Sequence, residues 1–210
     1  MSDIKKLIDG YRRFHDKYFR SSNNLFSSLQ GGQTPSALMI SCSDSRVDPS
    51  LLTEAEPGDL FVVRNIANLV PSADCGDFQV SVIASVEFAV NVLRVGHIIV
   101  MGHSQCKGVE TLIRQTRGEE TLESVSVWVD CASKVATAVI ADHPDEPLER
   151  QSEICAHKSV LASLDNLRKL PFLERSLSSG VLQLHGWFFD IETGEMSEYD
   201  FTEKKFKPLI

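Results

Sequence analysis

Four short, nearly continuous apolar runs limit what this chain can fold into. They are Ala37-Leu-Met-Ile-Ser41, Leu60-Phe-Val-Val63, His97-Ile-Ile-Val-Met101 and Val181-Leu-Gln-Leu184. A strand with one wet face alternates apolar and polar residues, whereas a strand covered on both faces does not. The runs therefore read as interior strands of a parallel sheet with helices on its faces. The segments between them fit that reading. Residues 77–94 carry Phe78, Val82, Val86, Phe88, Ala89, Val92 and Leu93, enough for a deeply buried helix. Val109, Leu112 and Ile113 suggest another, and 121–141 and 148–169 are amphipathic and separated by His143-Pro-Asp-Glu-Pro147. The expected fold class is α/β, with a mostly parallel central β-sheet flanked by helices.

The N-terminal part differs. Ile4, Leu7, Ile8, Tyr11, Phe14, Tyr18 and Phe19 recur at helical spacing over 4–19, with charged residues on the other face. Asn23-Asn24 can open a second short helix through Leu25, Phe26 and Leu29, which Gly31-Gly32 ends and Pro35 keeps from restarting. No repeat or linker divides the 210 residues. The expectation is one domain over 1–210, with 1–30 as a helical arm and 37–210 as the sheet and its covering helices.

A net charge of -8 and a pI near 5.2 argue against a nucleic-acid or anionic-membrane binder. No stretch reads as long and apolar enough to span a bilayer, and the N-terminus does not read as a secretory signal. Cys42, Cys75, Cys106, Cys131 and Cys155 are odd in number and widely spread, which suits free thiols or metal ligands in a reducing compartment. The expected location is cytoplasmic, although a processed organellar protein would read the same way.

Chemistry concentrates in two segments. Ser41-Cys-Ser-Asp-Ser-Arg46 follows the first strand and Gly102-His-Ser-Gln-Cys-Lys-Gly108 the third. Open α/β sheets build their sites at the carboxyl ends of strands. If these strands are neighbours, Cys42, His103 and Cys106 converge. Two thiolates and an imidazole suit zinc, and three protein ligands leave the fourth position open, as in catalytic sites. Spacing alone leaves free core thiols and an ordinary Asp44–Arg46 ion pair equally open.

Taken together, these motifs resemble those of the β-class carbonic anhydrases over nearly the whole chain. Cys42-Ser-Asp-Ser-Arg46 and Gly102-His-Ser-Gln-Cys106 carry the resemblance. Gly32-Gln-Thr-Pro35 and the block from Glu56 to Asn68 support it. The resemblance implies reversible hydration of carbon dioxide to bicarbonate and a proton by zinc-bound hydroxide, with one Zn2+ per chain on Cys42, His103 and Cys106. It implies that Asp44 accepts a hydrogen bond from that hydroxide and that Arg46 holds Asp44 off the metal. Gln33 would donate to a substrate oxygen, and Phe61 and Phe88 would line an apolar pocket. In the family these three reach the site from the neighbouring subunit, so the expected partners are CO2 or bicarbonate and further copies of the chain in a homodimer or higher homo-oligomer. Plain core packing is the competing reading of the phenylalanines.

The sequence also departs from parts of the family. Some members carry an inhibitory bicarbonate site of tryptophan, arginine and tyrosine; here those positions are Met39, Arg64 and Phe189. That places the chain with the plant-like, non-allosteric subgroup. Lys107-Gly108 stands where many members have two glycines, putting a cation near the metal. The rival readings are a carbon disulfide or carbonyl sulfide hydrolase on the same fold, and a non-catalytic structural zinc module. A thiol redox protein fits less well, since the chain lacks a Cys-x-x-Cys pair. None of His15, His97, His143, His157 and His185 can be assigned as a proton shuttle.

Overall fold

The computed structural model describes residues 3–20, 25–72, 75 and 80–210. The expected helix start at Asn23-Asn24 and the expected helical residue Phe78 lie outside them. Six strands form one sheet: β1 (Ala37–Cys42), β2 (Leu60–Asn65), β3 (His97–His103), β4 (Gln183–Phe189), β5 (Met196–Asp200) and β6 (Lys205–Pro208), in the order β2-β1-β3-β4-β5-β6. The first four are mutually parallel, while β5 and β6 continue the sheet antiparallel. The expected class therefore holds.

Both faces of β1 are buried along its whole length, as its unbroken apolar run requires. Leu38 and Ile40 join Ile98 and Val100 in one core, and Met39 joins Ile99 and Met101 in another on the opposite face. The first core is covered by α4 (Val80–Asn91) and α8 (Leu148–Arg168), which supply Val82, Val86, Val160 and Leu164. The chain leaves β1 for β2 on one side and returns to β3 on the other. The switch point of the sheet thus falls between the carboxyl ends of β1 and β3.

The structure corrects three boundaries. The strand read at 181–184 begins at Gln183 and runs on through Trp187-Phe188-Phe189, while Val181 is 71% exposed. The single helix read over 121–141 is two helices, α6 (Glu123–Val129) and α7 (Ser133–Asp142), separated by a 3-10 turn over Asp130–Ala132. Glu123–Asp142 also passes for a membrane-crossing stretch by length and composition, contrary to the expectation of none. Here it is broken at Ala132 (φ -110°, ψ 11°) and turns Val129, Ala132, Ala136 and Val139 into the core. Finally, β5 and β6 are strands that the apolar pattern did not signal.

At the N-terminus, α1 (Asp3–His15) and a π-helical turn over Asp16–Arg20 lead to α2 (Leu25–Leu29). Phe14, Tyr18, Phe19 and Phe26 pack on one another. The rest of the stripe faces solvent: Ile4, Leu7 and Tyr11 are each more than 60% exposed.

Candidate metal centre

Cys42 ends β1, His103 ends β3, and Cys106 caps the start of α5 (Lys107–Thr116). Because β1 and β3 are parallel neighbours, their ends come together, and the short turn after His103 brings Cys106 back. All three side chains are buried, and their ligand atoms lie within 4.8 Å of one another. The two sulfurs are 3.8 Å apart. Two sulfurs held at about 2.3 Å by one tetrahedral zinc stand about 3.8 Å apart, so the spacing suits that ion.

His103 adds an independent sign. Its Nδ1 lies 2.8 Å from the Ser104 carbonyl, which fixes the proton on Nδ1 and leaves the lone pair on Nε2. That Nε2 is buried without a hydrogen-bond partner. A buried imidazole nitrogen with nothing to accept from is costly in a dry interior. A cation between it and the two sulfurs removes the cost. Among the described residues no fourth His, Cys, Asp or Glu joins the group.

The thiols already share their charge unequally. The contact between the two sulfurs, together with His103, favours the thiolate of Cys42 and lowers its pKa against the effect of burial. The same contact, with burial and the adjacent thiolate, drives Cys106 far up. The second proton leaves only when a cation replaces it.

Beside the cluster, Arg46 binds Asp44 as a fork, Nε to Oδ1 at 3.0 Å and Nη2 to Oδ2 at 2.8 Å, and the Arg46 amide adds a bond at 2.9 Å. These bonds hold the Asp44 carboxyl far below its usual range. Arg64 on β2 fixes the backbone of the same loop. Its guanidinium donates to the carbonyls of Cys42 (3.0 Å), Asp44 (2.8 Å) and Val47 (2.9 Å), and to Asp48 (3.3 Å). Sequence reasoning gave Arg64 no part in the centre. Arg64 is exposed on the edge strand, so its residue type alone gave no sign of this role.

On the far side, α5 begins against the turn over Ile66–Asn68. Ala67 and Asn68 are both left-handed there, with φ 64° and 48°. Asn65 closes the turn by bonding both the amide and the carbonyl of Leu69, and Trp128 donates to the Ile66 carbonyl at 2.8 Å. A Cβ on Gly108 would lie 2.5 Å from Ile66 Cγ2 and 3.1 Å from the Ala67 amide. A glycine is therefore needed where the helix passes the turn. The adjoining cleft, 580 Å³ in volume, is lined in part by Arg46, Cys106, Lys107, Glu110, Glu153 and Asp190. Lys107 is paired with Glu110 and its side chain is 80% exposed, so its charge is offset at the surface.

Three candidates do not join the cluster within one chain. Gln33 is exposed ahead of β1. Phe61 is level with Leu38, four residues before the strand end that bears Cys42, or about 13 Å away. Phe88 on α4 packs against Phe61 with ring centroids 5.8 Å apart, and is 42% exposed. Met39 is fully buried, and Phe189 packs against the same apolar cluster. Of the remaining cysteines, Cys155 is buried while Cys75 and Cys131 are partly exposed, and all are free.

A twisted α/β sheet with a buried Cys–His–Cys triad at its switch point and a carboxylate–guanidinium pair beside it defines a class of metal-site proteins. The comparisons narrow the class. The carbonic anhydrase family profile matches residues 37–196. A carbonic anhydrase of Pseudomonas aeruginosa is 41% identical over 206 residues, covering 98% of this chain and 92% of its own length. One from Synechocystis is 37% identical over 94% of this chain and 71% of its own. The solved structure of the β-carbonic anhydrase CcaA superposes with a TM-score of 0.91 at 36% identity, covering 99% of this chain and all of that one. The chain belongs to the β-class carbonic anhydrase family.

Proposed function

We propose that this chain interconverts carbon dioxide and bicarbonate with one zinc ion held by Cys42, His103 and Cys106. The observation that carries the reading is the unpartnered, buried Nε2 of His103 facing two sulfurs at zinc spacing. When bound, zinc supplies the Lewis acidity that makes hydroxide available from water near neutral pH. The remaining chemistry belongs to the chain. Ser104 fixes the His103 tautomer through its carbonyl. Asp44, held ionised by Arg46, would accept a hydrogen bond from water or hydroxide at the site and so orient it for substrate. Arg46 occupies both oxygens of Asp44 and would so keep that carboxylate from joining Cys42, His103 and Cys106 as a ligand.

Gln33, Phe61 and Phe88 serve the site of a neighbouring copy, Gln33 by donating to a substrate oxygen and the rings by keeping the pocket dry. Support comes from their distance from this chain's own centre and from the apolar stripe of α1, of which Ile4, Leu7 and Tyr11 stay exposed among the described residues. A β-carbonic anhydrase from Sordaria macrospora, 29% identical with a TM-score of 0.71, is described as tetrameric. The plant-like, non-allosteric assignment is supported by Met39, buried without a polar group, and by Arg64, whose donors are taken up by backbone carbonyls.

Charge sets the expected pH dependence. Two thiolates cancel the formal charge of the ion, and Asp44 adds another negative charge beside it. Both effects oppose loss of a proton from the site water, and Arg46 offsets them in part. Hydration should therefore rise with pH into the mildly alkaline range. The test is stopped-flow CO2 hydration from pH 6 to 9, with carbon disulfide and carbonyl sulfide in parallel. A flat profile contradicts the charge argument; turnover of the sulfur compounds alone replaces the substrate.

A further inference from the structure

Asp44 is not the only group that grips Arg46. Arg46 Nη1 donates to Oε1 of Gln105 at 3.2 Å, and Nη2 lies 3.4 Å from the Gln105 carbonyl. The other edge of the guanidinium holds both oxygens of Asp44. A guanidinium is planar and its donors form a rigid fork, so anchors at both edges fix its plane. Gln105 offers side chain and carbonyl together because its backbone is left-handed, with φ 56°. That conformation is uncommon for a residue with a Cβ. It falls in the turn between His103 and Cys106. Asp44 lies two residues beyond Cys42 on the same loop. An Asp44 carboxylate released from Arg46 is therefore well placed to turn toward a cation between the thiols.

We infer that Gln105 is a positioning residue: by holding the far edge of Arg46 it keeps Asp44 directed away from the metal. It also ties the 42–46 loop to the 103–106 turn, so both ligand-bearing segments keep one spacing. This rests on the zinc reading of the centre given above. A Gln105 that only closed the turn before α5 would affect stability and leave the ligand set unchanged.

The test uses the zinc protein and its cobalt-substituted form at one fixed pH. Gln105→Gly removes the side-chain acceptor while tolerating the left-handed backbone, and Gln105→Glu keeps an acceptor. Loss of one exposed, charge-assisted bond corresponds to about a 3- to 10-fold fall in kcat/KM. For Gln105→Gly we expect that fall with an unchanged thermal midpoint. The visible cobalt bands should shift toward a carboxylate-ligated form, and a chelator should remove the metal several-fold more slowly. Gln105→Glu should restore most of the wild-type behaviour. In an Asp44→Asn background, Gln105→Gly should change neither spectrum nor release rate. An unchanged spectrum and release rate in the single variant would overturn the inference, as would equal changes in both backgrounds. If the cobalt shifts appear in a protein that hydrates no CO2, the positioning role stands and the functional reading falls.

Discussion

Arg64 shows how one side chain can set the geometry of a centre it does not enter. Its three carbonyl contacts span Cys42 to Val47, the segment that carries a thiol ligand, Asp44 and Arg46. A lysine cannot reproduce a planar fork with five donors. Arg64→Lys should weaken zinc binding about 10-fold, the usual size of an outer-shell loss, measured by chelator competition, and hydration should fall with it. Unchanged affinity would mean that the loop holds itself. At this scale the triad was legible through the family resemblance that the two motifs carry, since their spacing alone left free core thiols equally open. The grip of Arg64 was not legible. It depends on carbonyls 17 to 22 residues away, brought into reach only by the pairing of β1 with β2.

At the level of elements, the critical contact is the start of α5 against the Ile66–Asn68 turn. Gly108→Ala would drive a Cβ into Ile66 Cγ2 and against the Ala67 amide. The side chain can move, but the backbone must shift. The expected cost is about 1–3 kcal/mol in urea unfolding, with loss of zinc, because Cys106 is the cap of the same helix. Destabilisation with full zinc content would show that the helix moves without its cap. β1 and β3 were legible as unbroken apolar runs of strand length, whereas the run read as an interior strand at Leu60–Val63 lies in the edge strand β2, with Val62 37% exposed. β5 and β6 were not legible, since Met-Ser-Glu-Tyr-Asp and Lys-Phe-Lys-Pro are short and largely polar, 5 and 4 residues at one end of the sheet. The break at Asp130–Ala132 was hidden because no proline or glycine marks it.

For the whole molecule, two features of the single chain point to the proposed assembly. α1 presents Ile4, Leu7 and Tyr11 to water, and Gln33, Phe61 and Phe88 lie away from the centre they are proposed to serve. Both are accounted for if a second copy takes up the arm and receives those residues. A Leu7→Asp, Tyr11→Asp double variant should sediment as a smaller species than the wild type and lose most hydration while keeping zinc. Full activity per chain in a monomer would exclude a shared site. The arm's amphipathic stripe was legible in the sequence, but its partner was not, because periodicity shows that a face must be covered and not what covers it.

The most direct measurement is zinc stoichiometry and stopped-flow CO2 hydration on the same preparations of wild-type protein and Cys106→Ser. The expected result is near one zinc per chain with fast hydration in the wild type, and loss of both in the variant. Wild-type protein that holds zinc but hydrates no CO2 at any pH from 7 to 9 would contradict the proposed activity. A Cys106→Ser variant that kept full zinc and full activity would contradict the ligand set.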